Sequence, residues 1–470
     1  MKRVALASLG ALLLAGCTVG PDYQRPQTEL PQAWRSGEAL PASEQPEVLA
    51  NLAWWQLFED PVLDALVAEA LANNRDLKTA AARIDEAAGL LGSTRAQLFP
   101  QVGASLGGSR AKASDSGVTP IPPGVDRINE QYVAAFNVGW EIDLFGRLRR
   151  ATEASQAELL ATEEARRALA LSLAATVANS YISLRSLDDQ LAISRHTLET
   201  REEALRIFEL RYEGGVVSEM ELSQVRSEVE TARIAVPLLE QSVAQQENAI
   251  SVLLGRLPGP IARGKTLTEM SLPLPPPSLP SSVLERRPDI LQAEQALVAS
   301  NARIGVAKAA YFPVVSLTGL LGSSSADLSN LFSGAAQIWS YGADAVLPIF
   351  TAGGIAGQVK AAEARQVQAL EQYRKAIENA FREVDDALVA GTKTREVVEG
   401  LMRQVEALSS YDRVARLRFE GGYSAYLEVL DAERNLFQAQ INESQAHAQA
   451  LIAATTLYKV LGGGWQAASQ

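Results

Sequence analysis

The chain is poor in the residues that most often do chemistry. Of its 470 residues, only Cys17 is a cysteine and only His196 and His447 are histidines. One thiol cannot make an intrachain disulfide. Two histidines far apart in sequence exclude a paired-histidine metal motif, and no nucleophile elbow or phosphate loop occurs. Neither catalysis nor a cofactor is therefore expected. Past the first 17 residues, no apolar run approaches the roughly 18 residues that suggest a membrane-spanning helix. Basic runs are absent too. The formal net charge is −12, so nucleic acid is not an expected partner. An acidic chain lining a duct would favour cations over anions.

What the chain does have is heptads. Leu222, Val225, Val229, Ala232, Val236, Leu239, Val243, Gln246, Ile250 and Leu253 fall at alternating steps of three and four. Upstream, Val177, Leu184, Leu191, Leu198, Leu205 and Tyr212 recur every seven. Such stripes belong to helices packed as coiled coils. Between them lies Glu213-Gly214-Gly215-Val216-Val217-Ser218, a glycine cap and a tight turn. The spacing predicts a helical hairpin over 147–254. Its first helix of roughly 65 residues would reach about 100 Å, which suits a tube or stalk. Pro237 removes one hydrogen bond from the second helix and should bend it.

A second hairpin follows from about 356 to 461, turning at Gly421-Gly422. Its return helix is apolar on two faces, one through Leu430 and Phe437, the other through Val429, Leu436 and Leu457. Such a helix has neighbours on two sides, as in a closed ring of helices. The two hairpins are parts of a larger repeat. Residues 76–100 match 289–313 at an offset of about 213, and the turn motifs match at an offset of about 207. The change implies an indel in an intervening loop. Pro-rich residues 272–280 separate the halves.

Each half also holds two alternating segments. In the first half they span about 101–109 and 131–141, with Phe136, Val138 and Trp140 on one face and Asn137 and Glu141 on the other. In the second they span about 315–321 and 339–347. Apolar-out, polar-in segments with aromatics near an end fit transmembrane β-strands, and a half-buried soluble sheet alternates likewise. Four strands cannot close in lipid, where about eight is the working minimum, so a barrel must be shared between chains. Two copies give eight strands and three give twelve; counting does not choose. Loops at about 110–130 and 326–336 would lie outside the cell. The cluster Trp54, Trp55, Leu57 and Phe58 reads as a core or docking contact.

The N-terminus carries an address. Lys2 and Arg3 precede the apolar run 4–14, then Leu14-Ala15-Gly16-Cys17. That ending resembles a bacterial lipoprotein processing box, which implies an acylated (palmitate-bearing) Cys17 as the mature first residue. Thr18 resembles the sorting residue of outer-membrane lipoproteins. The division implied is a signal peptide (1–16), a lipid-anchored extended segment (17–60), a first repeat (61–271), a Pro-rich linker (272–282), a second repeat (283–462) and a tail (463–470).

Several pieces together resemble the outer-membrane efflux proteins of the TolC/OprM class, in the NodT-type lipoprotein branch. They are Cys17-Thr18-Val19-Gly20-Pro21-Asp22-Tyr23, Trp140-Glu141-Ile142-Asp143-Leu144-Phe145-Gly146, Arg286-Arg287-Pro288-Asp289-Ile290, Leu430-Asp431-Ala432-Glu433-Arg434 and Leu461-Gly462-Gly463-Gly464-Trp465. The resemblance covers essentially the whole mature chain. It implies a mainly α fold with transmembrane β, in which a shared 12-stranded β-barrel with four strands per chain continues into a long α-helical coiled-coil barrel. It also implies a homotrimer in the outer membrane of a Gram-negative bacterium, extending into the periplasm. A periplasmic adaptor and an inner-membrane pump of the RND type would complete a tripartite efflux system with this passive exit duct.

By the same resemblance, Gly215, Val216, Val217 and Ser218, with Gly422, Tyr423 and Ser424, would contact the adaptor. Leu427 and Asp431, one helical turn apart, would form the apolar and acidic rings of a periplasmic gate. The chain departs from the OprM branch at Phe419 and Glu420, where relatives carry Tyr and Arg in a tip latch. A Phe has no hydroxyl to donate and Glu reverses the charge; Arg211 and Arg418 are candidate replacements. Two other readings compete: the exit duct of a type I protein secretion system, and a surface-anchored coiled-coil structural lipoprotein. The four aromatic-edged strands count against the second.

Overall fold

The computed structural model describes residues 18–27, 53–114, 126–273 and 286–462. The signal peptide, Cys17, nearly all of the Pro-rich linker and the tail at 463–470 lie outside the described residues. The elements in order are α1 (Pro61–Asn73), α2 (Arg75–Ala96), β1 (Gln101–Lys112), β2 (Ile128–Ile142), α3 (Arg147–Glu213) and α4 (Glu219–Leu253) in the first half. The second half follows with α5 (Pro288–Ala309), β3 (Val314–Ser325), β4 (Gln337–Val346), α6 (Gly354–Glu420) and α7 (Tyr426–Val460).

The duplication read from sequence is present element by element. Helices α3 and α6 each have 67 residues, α4 and α7 each have 35, and α2 and α5 each have 22. Proline does not interrupt α4, which runs unbroken through Pro237. No helix among the described residues is long and apolar enough to cross a membrane.

One compact unit gathers the described residues within Met1–Gln27, Arg83–Thr162 and Gln292–Tyr373. It holds an antiparallel sheet in the order β1-β2-β3-β4. Its face of Val102, Leu106, Phe136, Trp140, Leu321, Trp339 and Tyr341 is exposed in the single chain. The opposite face carries polar Ser105, Asn137, Ser316 and Asp344; Asn137 donates to Ser105 at 2.9 Å. The strands run further than the alternation indicated. Arg110 and Glu130, expected in a loop, are a cross-strand ion pair at 3.0 Å. The second strand loop contains two single-turn 3-10 helices.

Residues 18–25 are strapped across this unit. Val19 donates to the Phe145 carbonyl at 3.1 Å, and Asn301 donates to the Pro21 carbonyl at 2.9 Å. Asp22 accepts from Arg150 at 2.6 Å. Gly20, at φ +107°, crosses so close to Gly305 that a Cβ on it would lie 2.4 Å from the Gly305 Cα. The glycine is required there by contact as well as by φ.

The second unit gathers the described residues within Thr28–Ala82, Glu163–Leu291 and Arg374–Gln470. Its largest core packs Trp54, Phe58, Leu63 and Val67 against Val177, Tyr181 and Leu184 of α3, Ile250 of α4 and Leu451 of α7. The aromatic cluster at 54–58 is thus core. Asp60 caps α1 by accepting from the Val62 and Leu63 amides, and also accepts from the Tyr181 hydroxyl at 3.0 Å. Four donors onto one buried carboxylate, with Lys265 N the fourth, satisfy it without bulk water.

Candidate functional site at the two helical turns

Both turns close with the same backbone device. After α3, the Gly215 amide donates to the Tyr212 carbonyl at 2.9 Å and the Val216 amide to Arg211 at 2.8 Å. After α6, Gly422 donates to Phe419 at 3.0 Å and Tyr423 to Arg418 at 2.8 Å. With φ of +70° at Gly215 and +73° at Gly422, each is a Schellman cap. The next helix starts differently in the two turns. Ser218 caps α4 in a full capping box with Glu221. Its counterpart before α7 is Ala425, which offers no side-chain cap.

The turn residues divide into outward and inward groups. Val216 and Tyr423 are exposed, and Gly215, Ser218 and Gly422 are exposed with them. Val217 is half-buried against the apolar cluster beneath. Ser424 is half-buried, and its Oγ has no hydrogen-bond partner among the described residues.

That cluster joins the two hairpins. Phe208, Leu222 and Val225 pack with Ala415, Tyr426, Val429 and Leu430. Phe419 stacks on Phe208 with ring centroids 6.2 Å apart and meets Tyr426 at 5.0 Å. The Arg211 guanidinium lies 5.3 Å from the Phe419 centroid and 5.9 Å from that of Phe208. Phe419 therefore acts here as an aromatic surface under a cation. Glu420 is exposed, and Arg418 faces Glu428 at 3.7 Å.

Leu427 and Asp431 share one side of α7. Leu427 is 61 % exposed. The Asp431 carboxylate accepts from Arg434 and Asn435, each at 3.1 Å, so its position is held while it stays accessible.

Below the cluster lies a charged layer that the heptad reading passed over. Buried Arg201 pairs with Glu228 at 3.0 Å and donates to the Glu228 carbonyl at 2.8 Å. Buried Glu433 faces Arg416 at 2.7 Å, a Coulombic contact whose angle makes no hydrogen bond. Arg416 also pairs with Asp412 at 3.0 Å. Burial pushes the Glu433 carboxyl above the usual range, against the pull of Arg416. Burial also raises the Tyr426 hydroxyl, reinforced by Glu433. Arg201, Asp412, Arg416 and Glu433, with His196 and Phe437, line a cavity of about 280 Å³. A signal was present in the sequence. Arg201 stands between Leu198 and Leu205, and Glu433 between Leu430 and Phe437, each at a core step of its stripe. Among the described residues, no group of histidine, cysteine, Asp or Glu is placed to hold a metal.

Comparison with known proteins agrees with this geometry. A sequence model of the family "Outer membrane efflux protein" matches residues 66–256 and 279–463, spanning both halves. The chain is 37% identical over 467 residues to the probable efflux pump outer membrane protein TtgC of Pseudomonas putida, covering 99% of this chain and 96% of TtgC. It is 35% identical over 462 residues to the cation efflux system protein CusC of Escherichia coli, covering 97% of each. Its fold is similar to the open state of the Neisseria gonorrhoeae MtrE outer membrane channel, with a TM-score of 0.85, 30% identity, and 96% of this chain and 99% of that one covered. Long duplicated helical hairpins joined to a small antiparallel sheet are therefore the helical and β parts of a known type of channel. The chain belongs to the outer membrane efflux protein family, as a channel component and not an enzyme.

Proposed function

We propose that three copies of this chain form the passive exit duct of a tripartite efflux system, anchored in the outer membrane through an acylated Cys17. The observation that carries this reading is the open four-stranded sheet, with an apolar face exposed in the single chain and two unpaired edges. Backbone polar groups at an open edge are not tolerated in hydrocarbon, so copies must share one barrel. Three copies supply twelve strands, the number that the family resemblance implies.

In this reading the turns at 215–218 and 422–424 meet the helical tips of a periplasmic adaptor, and an inner-membrane pump of the RND type supplies the energy. Leu427 and Asp431 form the constriction. Three carboxylates brought together on an axis repel one another and attract cations, which makes the mouth sensitive to acid and to divalent ions. The relatives' names divide between toluene, antibiotic and solvent efflux on one side and cation efflux on the other. A conduit with generic walls, supplied by different pumps, accounts for that spread.

The test is the mass of the detergent-extracted protein by light scattering with detergent correction. Three chains per particle is the expected result. A monodisperse single chain would refute the shared barrel.

A further inference from the structure

The four strands carry only two basic side chains, Arg110 and Lys112, both at the loop end of β1. Side chains alternate across a sheet, so these two share a face with Val102 and Leu106. Pairing continues that face across the other strands. Val102, Val138, Gly319 and Tyr341 form one row, and Ala104, Phe136, Leu321 and Trp339 the next. Two rows further on, Gly108 stands opposite Tyr132, and a Cβ on Gly108 would lie 3.2 Å from the Tyr132 ring. Beyond that ring come Arg110 opposite Glu130 and Lys112 opposite Ile128. The basic charge of the sheet therefore lies on its apolar face and not on its polar one.

Its height on that face is informative. From Ile142 to Tyr132 along β2, at about 3.4 Å per residue and a tilt of about 40°, the sheet rises about 25 Å, the height of a lipid-facing band edged by aromatic rings. Arg110 then stands about 5 Å past the Tyr132 ring and Lys112 about 10 Å, within and just above a headgroup layer. Glu130 meets the Arg110 Nε at 3.0 Å and accepts from the Tyr132 hydroxyl at 3.3 Å. The Arg110 side chain is still 69 % exposed, so its guanidinium is oriented but open to a further anion. Lys112 is exposed and has no ion-pair partner among the described residues. Two cations against one carboxylate leave this rim positive, in a chain of net charge −12.

We infer that Arg110 and Lys112 dock the phosphates of an anionic lipid headgroup in the outer leaflet. A guanidinium takes phosphate through paired hydrogen bonds, and a lysine meets it as a point charge. The same lipid's acyl chains would lie over Leu106 and Phe136, which are 83 % and 60 % exposed in the single chain and lie just below the basic pair on the same face. That continuity of apolar surface and charge selects a lipid over free phosphate.

The inference rests on the shared barrel proposed above, which turns this face toward lipid and the strand loops outward. Native mass spectrometry of the full-length protein in detergent counts chains and bound lipids together. The probe is lipid A bearing two phosphates, set against the same lipid with its phosphates removed. The phosphorylated form should be retained several-fold better. A basic residue at an anionic surface contributes roughly five-fold in binding, so Lys112→Gln should lower retention by about that factor, and Lys112→Gln with Arg110→Gln by roughly twenty-fold. Lys112→Arg should keep it. Lys112 has no ion pair to lose, so its variants remain informative even if loss of Arg110 loosens the hairpin. On a three-chain particle, equal retention of the two lipids or unchanged retention in the variants would overturn the lipid site and leave the barrel standing. Displacement by inorganic phosphate would also overturn it, in favour of a bare anion site. A single-chain particle would remove both readings.

Discussion

Removing Arg416 should loosen the start of α7, and acid should repair the damage. Its guanidinium lies 2.7 Å from the Glu433 carboxylate and 3.0 Å from that of Asp412. Two unit charges about 4 Å apart attract by about 4 kcal/mol at an effective dielectric of about 20. The Arg416 side chain is 38 % exposed, so water screens much of this. With Glu433 then left buried and short of a counter-charge, about 1–3 kcal/mol is a reasonable net cost for Arg416→Ala. Amide exchange over the first turns of α7 should accelerate on the order of ten-fold to a hundred-fold, because about 1.4 kcal/mol is a factor of ten. The pH dependence has a fixed sign. Burial already raises the Glu433 carboxyl, and losing Arg416 removes the largest influence holding it down. The folded state then binds a proton at a pH where the unfolded chain does not. Stability falls as pH rises through that raised value and returns as pH falls toward the ordinary carboxylate range. The defect is therefore largest at neutral pH, and adding Glu433→Gln should relieve it there. Unchanged exchange in Arg416→Ala, or a defect that deepens in acid, would refute the reasoning.

Gly422→Ala tests the backbone of the second turn. Nothing lies within 4 Å of the added Cβ, so the cost is purely that of holding a non-glycine residue at φ +73°. About 1–2 kcal/mol is expected, read as faster protease cleavage at residues 420–425 with the native particle mass unchanged. Asp431→Ala tests the proposed constriction in planar bilayers, where single-channel conductance should rise and block by divalent cations should weaken. Unaltered conductance would take Asp431 out of the narrow part.

The long helices were legible because their signals are local. Heptad steps and the Gly-Gly turn mark the ends of α3 and the start of α4 to within a residue or two. Strand ends were harder. Arg110 and Glu130 look like loop residues until β1 and β2 are seen to place them opposite each other, where the pair bridges the two strands near the loop end of the hairpin. The charged layer was missed for a related reason. Arg201 and Glu433 each stand at a core step, but their counter-charges, Glu228 and Arg416, come from the other helix of each hairpin, which no single stripe reveals. The indel was inferred from a change of offset alone, but only the two hairpin registers put it in the strand loop.

The two turns differ in stiffness despite their common closure. Replacing a serine N-cap by alanine typically costs about 1 kcal/mol, so the first turn of α7 should fray roughly five times more readily than that of α4. Whatever grips both knuckles meets one that is braced and one that gives. The yielding one leads directly into Leu427 and Asp431. A push of equal strength on the pair would thus be converted into unequal displacement.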